Sequence, residues 1–317
     1  MADRRKGELE AVPLRPRGLG DDTRRAEPAQ VSGAPVYPGL IAAGSDRSRM
    51  TVSPRLAVAV ARLLVRSFTP AIAEQGGGHG LLVIGKPGTG KTSQVIAILS
   101  RLNVDTLFCS APLELAGPHE GDSAAGLGRV AAVAMARTRE TGGALAVVID
   151  EPDLVIGGSA TTTHTVNKGL LEGALQNALD GRSMHAGFDG TATPLPIILL
   201  VNDGAGLRSS LCRPGRCSVF VHCPSEAEVA AQVGGLFPEL TGVEAASLVA
   251  AFCDKPIAWF ADLRVRLLDG QIDALIGAHG MDFAALDRAV RANKAPAEAA
   301  IWATAETMAA EVVGTHL

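Results

Sequence analysis

Eight consecutive residues, Gly85-Lys86-Pro87-Gly88-Thr89-Gly90-Lys91-Thr92, have the composition and spacing needed to hold a polyphosphate. They fit the pattern G-x-x-x-x-G-K-[ST]. The apolar run Leu81-Leu82-Val83-Ile84 precedes them and a helical pattern from Lys91 follows, so the loop joins a strand to a helix as that chemistry requires. Gly85, Gly88 and Gly90 let the backbone wrap closely around an anion. The loop N–H groups and the helix N-terminus then point at it. Lys91 adds a cation for the β and γ oxygens, and the Thr92 hydroxyl suits Mg²⁺. Gly85, Lys86, Pro87, Gly88, Thr89, Gly90, Lys91, Thr92 and Ser93 are therefore the expected nucleotide-binding set, with ATP and Mg²⁺ as the expected ligands.

Three later groups narrow the chemistry from phosphate binding to hydrolysis. The strand-like run Ala144–Ile149 ends in Asp150-Glu151. Asp150 joins Thr92 as an expected metal residue, and Glu151 is expected to orient and polarise the attacking water. A solvated acidic pair at a strand end is the plainer reading of the same letters. Next, Pro196–Val201 leads into Asn202, placed to sense a γ-phosphate, although an Asn-Asp turn looks the same in sequence. Last come Arg213 and Arg216 around Pro214-Gly215. A stiff loop of this kind can project guanidinium groups toward a neighbouring subunit's phosphate as arginine fingers. Glu151, Asn202, Arg213 and Arg216 are the expected catalytic residues.

In that order these motifs resemble the AAA+ ATPases. A narrower likeness is to the Rubisco activase branch. It is carried by Thr165–Lys168 through Leu175–Asp180, by Leu195–Ile198 with Asn202-Asp203, and by Pro256-Ile257-Ala258-Trp259-Phe260-Ala261-Asp262-Leu263-Arg264-Val265-Arg266. The resemblance implies that Arg264 and Arg266 close a helical lid on the nucleotide. It also implies a homo-oligomeric ring, hexameric in most such families, that remodels a client protein, with Rubisco the first candidate. Ser110–Leu115 resembles the segment leading to a pore loop. Asp150-Glu151-Pro152-Asp153 departs from the branch's Asn-Asp-x-Asp, so Asp150, Glu151 and Asp153 could divide their duties differently. The presumed pore loop, Gly117–Asp122, has no aromatic to grip a peptide. A motor of the same branch with an unrelated bacterial or phage client, or a nucleic-acid loader, remain the competing readings.

The elements that must position these residues are legible as alternating patterns. Short apolar runs at Leu81–Ile84, Thr106–Cys109, Ala144–Ile149, Ile197–Val201 and Val219–His222 read as strands buried on both faces. Helical stretches separate them at Lys91–Leu102, Leu127–Glu140 and Val166–Asp180, with Gly181 as a helix stop. Ser53-Pro54 reads as an N-cap with proline at N1, opening a helix with Leu56, Val60, Leu63 and Leu64 on one face. Such alternation implies an α/β fold with a parallel, doubly wound sheet. After Pro224 only helical patterns follow, starting at the capping box Ser225/Glu228. The expected domains are a flexible N-terminal tail (1–48), an α/β nucleotide-binding domain (49–223) and a small C-terminal helical lid (224–317).

Composition excludes other classes. A net charge of −4 gives no footprint for nucleic acid or anionic membrane, and 3% aromatics leave little for base stacking. Arg62 and Arg66 interrupt the most apolar stretch, so no membrane span is expected. Residues 1–30 mix arginines with acids and have no apolar signal core, which reads as a solvated tail and a cytoplasmic protein. Five cysteines, an odd number, fit reduced thiols. Cys212, Cys217, His222 and Cys223 raise zinc as an alternative to small buried thiols, but their spacing contains no C-x-x-C pair.

Overall fold

The computed structural model describes residues 39–44, 50–73, 78–116, 119, 121–156, 165–180, 195–202, 211–213, 215–292 and 296–314. The expected tail lies largely outside them, as do Gly181, Pro214 and three of the six presumed pore-loop residues.

Six strands build one sheet: β1 (Leu40–Ile41), β2 (Gly80–Ile84), β3 (Asp105–Ser110), β4 (Leu145–Asp150), β5 (Ile197–Val201) and β6 (Cys217–Val221). Their order is β1-β3-β4-β5-β2-β6. All neighbours are parallel except β1, which runs antiparallel to β3. The sheet is therefore mixed, and β1 falls inside the segment expected to be tail. Two apolar residues are too few to register as a strand by periodicity, so only the pairing of Leu40 with Leu107 and Ile41 with Thr106 reveals it.

The helices on the sheet are α1 (Pro54–Phe68), α2 (Pro70–Ala73), α3 (Lys91–Arg101), α4 (Ala111–Glu114), α5 (Asp122–Thr141), α6 (Pro152–Ile156) and α7 (Thr165–Leu179). They divide between its faces, because the chain must cover an apolar strand on both sides. On one face Leu82, Val147, Ile149 and Leu199 pack with Leu127, Val130, Leu171 and Leu175 of α5 and α7. On the other, Leu81, Val83, Val148 and Leu200 pack with Leu56, Val60, Leu63, Val95 and Leu99 of α1 and α3.

A third core belongs to the C-terminal helices α8 (Glu226–Leu236), α9 (Gly242–Ala251), α10 (Ile257–His279), α11 (Phe283–Ala292) and α12 (Glu298–Gly314). Val233, Phe237, Leu248, Phe260, Leu263 and Ile301 fill it. Ser225 opens α8 with both halves of a capping box in place, and Thr241 does the same for α9.

The strand order positions the site. Chain order carries β2 to β3 across β5 and β4, so the loop after β2 emerges beside the C-terminal ends of β5 and β4. In open parallel sheets this is where ligands bind.

Candidate nucleotide site

The phosphate loop follows β2, and α3 begins at Lys91, with Gly90 as its N-cap. Gly88 (φ 74°) and Gly90 (φ 81°) both sit in the left-handed region, where a side chain would be strained. Their freedom turns the loop so that its backbone rims a cavity of about 660 Å³, a size that suits a nucleotide.

Lys91 is almost fully buried, and its Nζ donates to three protein acceptors: Gly85 O (2.6 Å), Lys86 O (3.0 Å) and Asn202 Oδ1 (2.9 Å). Burial lowers its pKa, against the pull of Asp150, Asp153 and Glu151. Beside it, Thr92 Oγ1 donates to Asp150 Oδ2 (2.8 Å). Burial raises the Asp150 carboxyl above its ordinary range; the Thr92 bond and Lys91 oppose this, while the adjacent Glu151 adds to it. The ammonium and the carboxylate are thus both short of solvent. An anion on the first and a cation near the second would relieve both. Hydroxyl and carboxylate oxygens are the hard donors that Mg²⁺ takes, so Thr92 and Asp150 fit that ion.

Glu151 directly follows β4 with φ +55°, one of two non-glycine residues at positive φ among those described. Pro152 opens α6 at the next position and disfavours the right-handed region for the residue before it. Glu151 donates its N–H to Leu200 O (2.9 Å). Its Oε1 accepts from Asn202 Nδ2 (3.4 Å). Asn202, just past β5, therefore touches the lysine with one end of its amide and the glutamate with the other. Asp153 Oδ2 accepts the Asn202 backbone N–H (3.1 Å) and ties the two strand ends together.

Arg213 and Arg216 are at the other end of the sheet. β6 lies beside β2, with Cys217 opposite Gly80 and Val221 opposite Ile84. The phosphate loop leaves the far end of β2, about 16 Å further along at strand spacing. The two arginines thus lie away from their own lysine because they precede β6, a parallel neighbour of β2. They also differ from each other. Arg213 is exposed. Arg216 is engaged within its own chain by a bidentate pair with Asp180, Nε–Oδ1 2.7 Å and Nη2–Oδ2 3.0 Å.

The structure brings neither Arg264 nor Arg266 to the cavity. Arg264 pairs with Glu239 (2.8 Å) and lies over the Phe237 ring. Arg266 pairs with Asp262 and Glu311 on the surface. Ile257, Ala258 and Ala261 are the α10 residues that line the cavity, and the Ala258 N–H donates to Gly88 O (3.0 Å). The start of α10 and the phosphate loop therefore meet through backbone.

Cys217 and His222 sit at opposite ends of β6, about 16 Å apart by strand rise, too far to share one ion. Burial pushes the Cys217 thiol up to about 12, with Cys212 adding to it. No group of three or more His, Cys, Asp or Glu side chains is arranged for a metal among the described residues. His222 is instead buried against the phosphate loop, its Nε2 donating to Thr89 O (3.1 Å).

Sequence reading missed a polar line from the segment before α1 to the lid. The Ser53 N–H donates to Gln94 Oε1 (2.8 Å), and Gln94 Nε2 donates to Gln232 Oε1 (3.3 Å). Ser53 Oγ donates to Glu228 Oε1 (2.5 Å). Gln94 and Gln232 are 138 residues apart, and no local pattern links them.

A mostly parallel sheet, a glycine loop closing on a buried lysine, and a carboxylate and an amide at the adjacent strand ends define an α/β P-loop NTPase. Residues 81–225 match the family model of the ATPase family associated with various cellular activities (AAA). That stretch, under half of the chain, is thus similar to the ATPase domains of this family, and a helical C-terminal region follows it. None of the curated proteins matches the chain. Among the described residues no helix is long and apolar enough to cross a membrane.

Proposed function

We propose that the chain is a Mg²⁺-dependent AAA+ ATPase that assembles with copies of itself into a ring, six being the number the resemblance implies, and remodels a client protein. One observation carries this reading. Lys91, Thr92, Asp150, Glu151 and Asn202 converge at one end of the sheet, while the exposed Arg213 stands at the other.

In this reading Gly85–Ser93 cradle the triphosphate, and Lys91 exchanges its present oxygen acceptors for β and γ oxygens. Thr92 and Asp150 hold Mg²⁺, which when bound neutralises charge on those oxygens. Glu151 accepts a hydrogen bond from the attacking water and orients it in line. Asn202 spans the lysine and the glutamate and registers the γ-phosphate. Arg213 of the adjoining protomer stabilises charge in the transition state. Arg216 braces the turn through Asp180 and is not needed as a second finger. Closure by Arg264 and Arg266 would require both to leave their present acidic partners, so lid contact through Ala258 is the simpler device.

The client is a protein in this proposal because the net charge and the scarcity of aromatics speak against nucleic acid. Rubisco is the first candidate, supported by the likeness over Thr165–Asp180 and Pro256–Arg266. An unrelated bacterial or phage client of the same branch is the alternative. Two assays test the proposal. Phosphate release from ATP with Mg²⁺ should be measurable in the parent and fall by about a thousandfold in Arg213→Ala, with nucleotide binding kept. Restoration of inhibited Rubisco by the parent with ATP would identify the client; capture of a different protein by ATP-bound Glu151→Gln would assign the alternative.

A further inference from the structure

β6 closes one edge of the sheet, and among the described residues no strand lies beyond it. Its pairing shows which backbone groups are left over. Arg216 O accepts from Gly80, and the His222 N–H donates to Ile84 O, so the even-numbered residues turn their backbone groups toward β2. The direction alternates along a strand, so the N–H and C=O of Cys217, Val219 and Val221 point outward. Such an edge is a template for another extended chain. Natural edges are commonly blunted by lysine or proline, yet Cys217–Val221 contains no charge and no proline. Val219 and Val221 are instead 49% and 60% exposed, on one face of the sheet.

The other face of the same edge is cationic. Arg55, Arg62 and Arg66 recur at i, i+7 and i+11, which puts them on one stripe of α1. Arg66 Nη2 donates to Ser218 Oγ (2.9 Å), and Arg55 lies 5.9 Å from the centre of the Phe220 ring, so the stripe runs beside β6. Arg62 is exposed between them. None of the three forms an ion pair among the described residues. Glu228 is the acid near Arg55, and it is already bonded to Ser53 and Ser225. An added strand would lie about 4.8 Å beyond β6, within the length of an arginine side chain. A second copy of β6 does not suit the place, because two arginine stripes would then meet on one face. A nucleic acid would use the arginines but leave the valines and the outward backbone groups bare. We infer that the β6 edge accepts an extended segment of another protein as an added strand. Its apolar side chains cover Val219 and Val221, and the carboxylates alternating with them face Arg55, Arg62 and Arg66. This surface is independent of the nucleotide reading.

The test is binding of a fluorescent peptide of alternating Glu and Val to the full chain, followed by anisotropy and by amide hydrogen exchange. Three probes are compared with it: alternating Lys and Val, the Glu/Val composition arranged in two blocks, and oligothymidylate. The alternating Glu/Val peptide should bind and slow exchange across Cys217–Val221. The other probes should bind at least about tenfold more weakly. Arg62→Glu and Val221→Asp, both at exposed positions, should each weaken the Glu/Val peptide by about tenfold. No binding at about 1 mM peptide, or unchanged affinity in both variants, would overturn the inference. Equal binding of the block peptide or of oligothymidylate would also overturn it, by showing a plain cationic patch in place of a strand acceptor.

Discussion

Glu151 combines a strained backbone with a chemically exposed role. A non-glycine residue in the left-handed region costs about 1–2 kcal/mol, and here it lies between a strand end and a proline, facing Asn202. Strain of this kind persists at functional sites because the surroundings hold it. Glu151→Gly should therefore unfold in urea at a concentration no lower than the parent, while releasing no phosphate; a loss above about 1 kcal/mol would show that the conformation carries no strain. Arg213 and Arg216 separate by the same logic. Arg216→Ala removes a bidentate, largely buried pair and strands Asp180, so it should lower stability by about 1–3 kcal/mol. Arg213→Ala should leave the urea midpoint unchanged. Equal midpoints for the two variants would contradict the division of labour. Sequence placed both arginines in one hexapeptide with nothing to distinguish them, because the partner of Arg216 is 36 residues away, just past the end of α7.

At the level of elements, the phosphate loop and the strands that flank the site were readable because their signals are local. Glycine spacing, a buried apolar run and a terminal carboxylate each occupy fewer than ten residues, and β2 to β6 begin and end within three residues of the expected limits. The elements that depend on pairing across the chain were not readable. β1 has two residues and exists only against β3. The Ser53–Gln94–Gln232 line requires three elements to be in place before any of its bonds can form. The helical region shows both cases: the capping box of Ser225 and Glu228 is local and legible, whereas the engagement of Arg264 and Arg266 is set by Glu239 and Glu311. Ser225→Ala, which breaks the box that starts α8, should cost about 1 kcal/mol in thermal or urea unfolding. A neutral result would mean that packing alone fixes that helix start. Leu199→Ala at the centre of the sheet should cost about 2–5 kcal/mol, since Leu199 is fully buried.

Across the whole molecule, two buried imidazoles make stability depend on pH. Burial holds both His79 and His222 below the ordinary 6.5; Arg66 adds to this at His79, while at His222 the Thr89 carbonyl opposes it and Lys91 adds to it. In the window just below 6.5 the unfolded chain binds more protons than the folded one, so unfolding free energy falls as pH falls. The contribution is complete above the unfolded-state value and is lost on the way down to the folded-state values. Urea unfolding at pH 7.5 and 5.5 should show the lower midpoint at 5.5; a higher midpoint at 5.5 would contradict the burial of these rings.

The proposed ring turns on whether one protomer's arginine serves another protomer's lysine. Mixing two inactive variants tests this most directly. Glu151→Gln cannot orient water but still offers Arg213; Arg213→Ala has an intact water site but no guanidinium to give. Each alone should release almost no phosphate from ATP, and the mixture should regain activity, because some interfaces then join an intact Glu151 to an intact Arg213. A mixture as inactive as its components, with both variants binding ATP and associating with each other, would contradict the shared site.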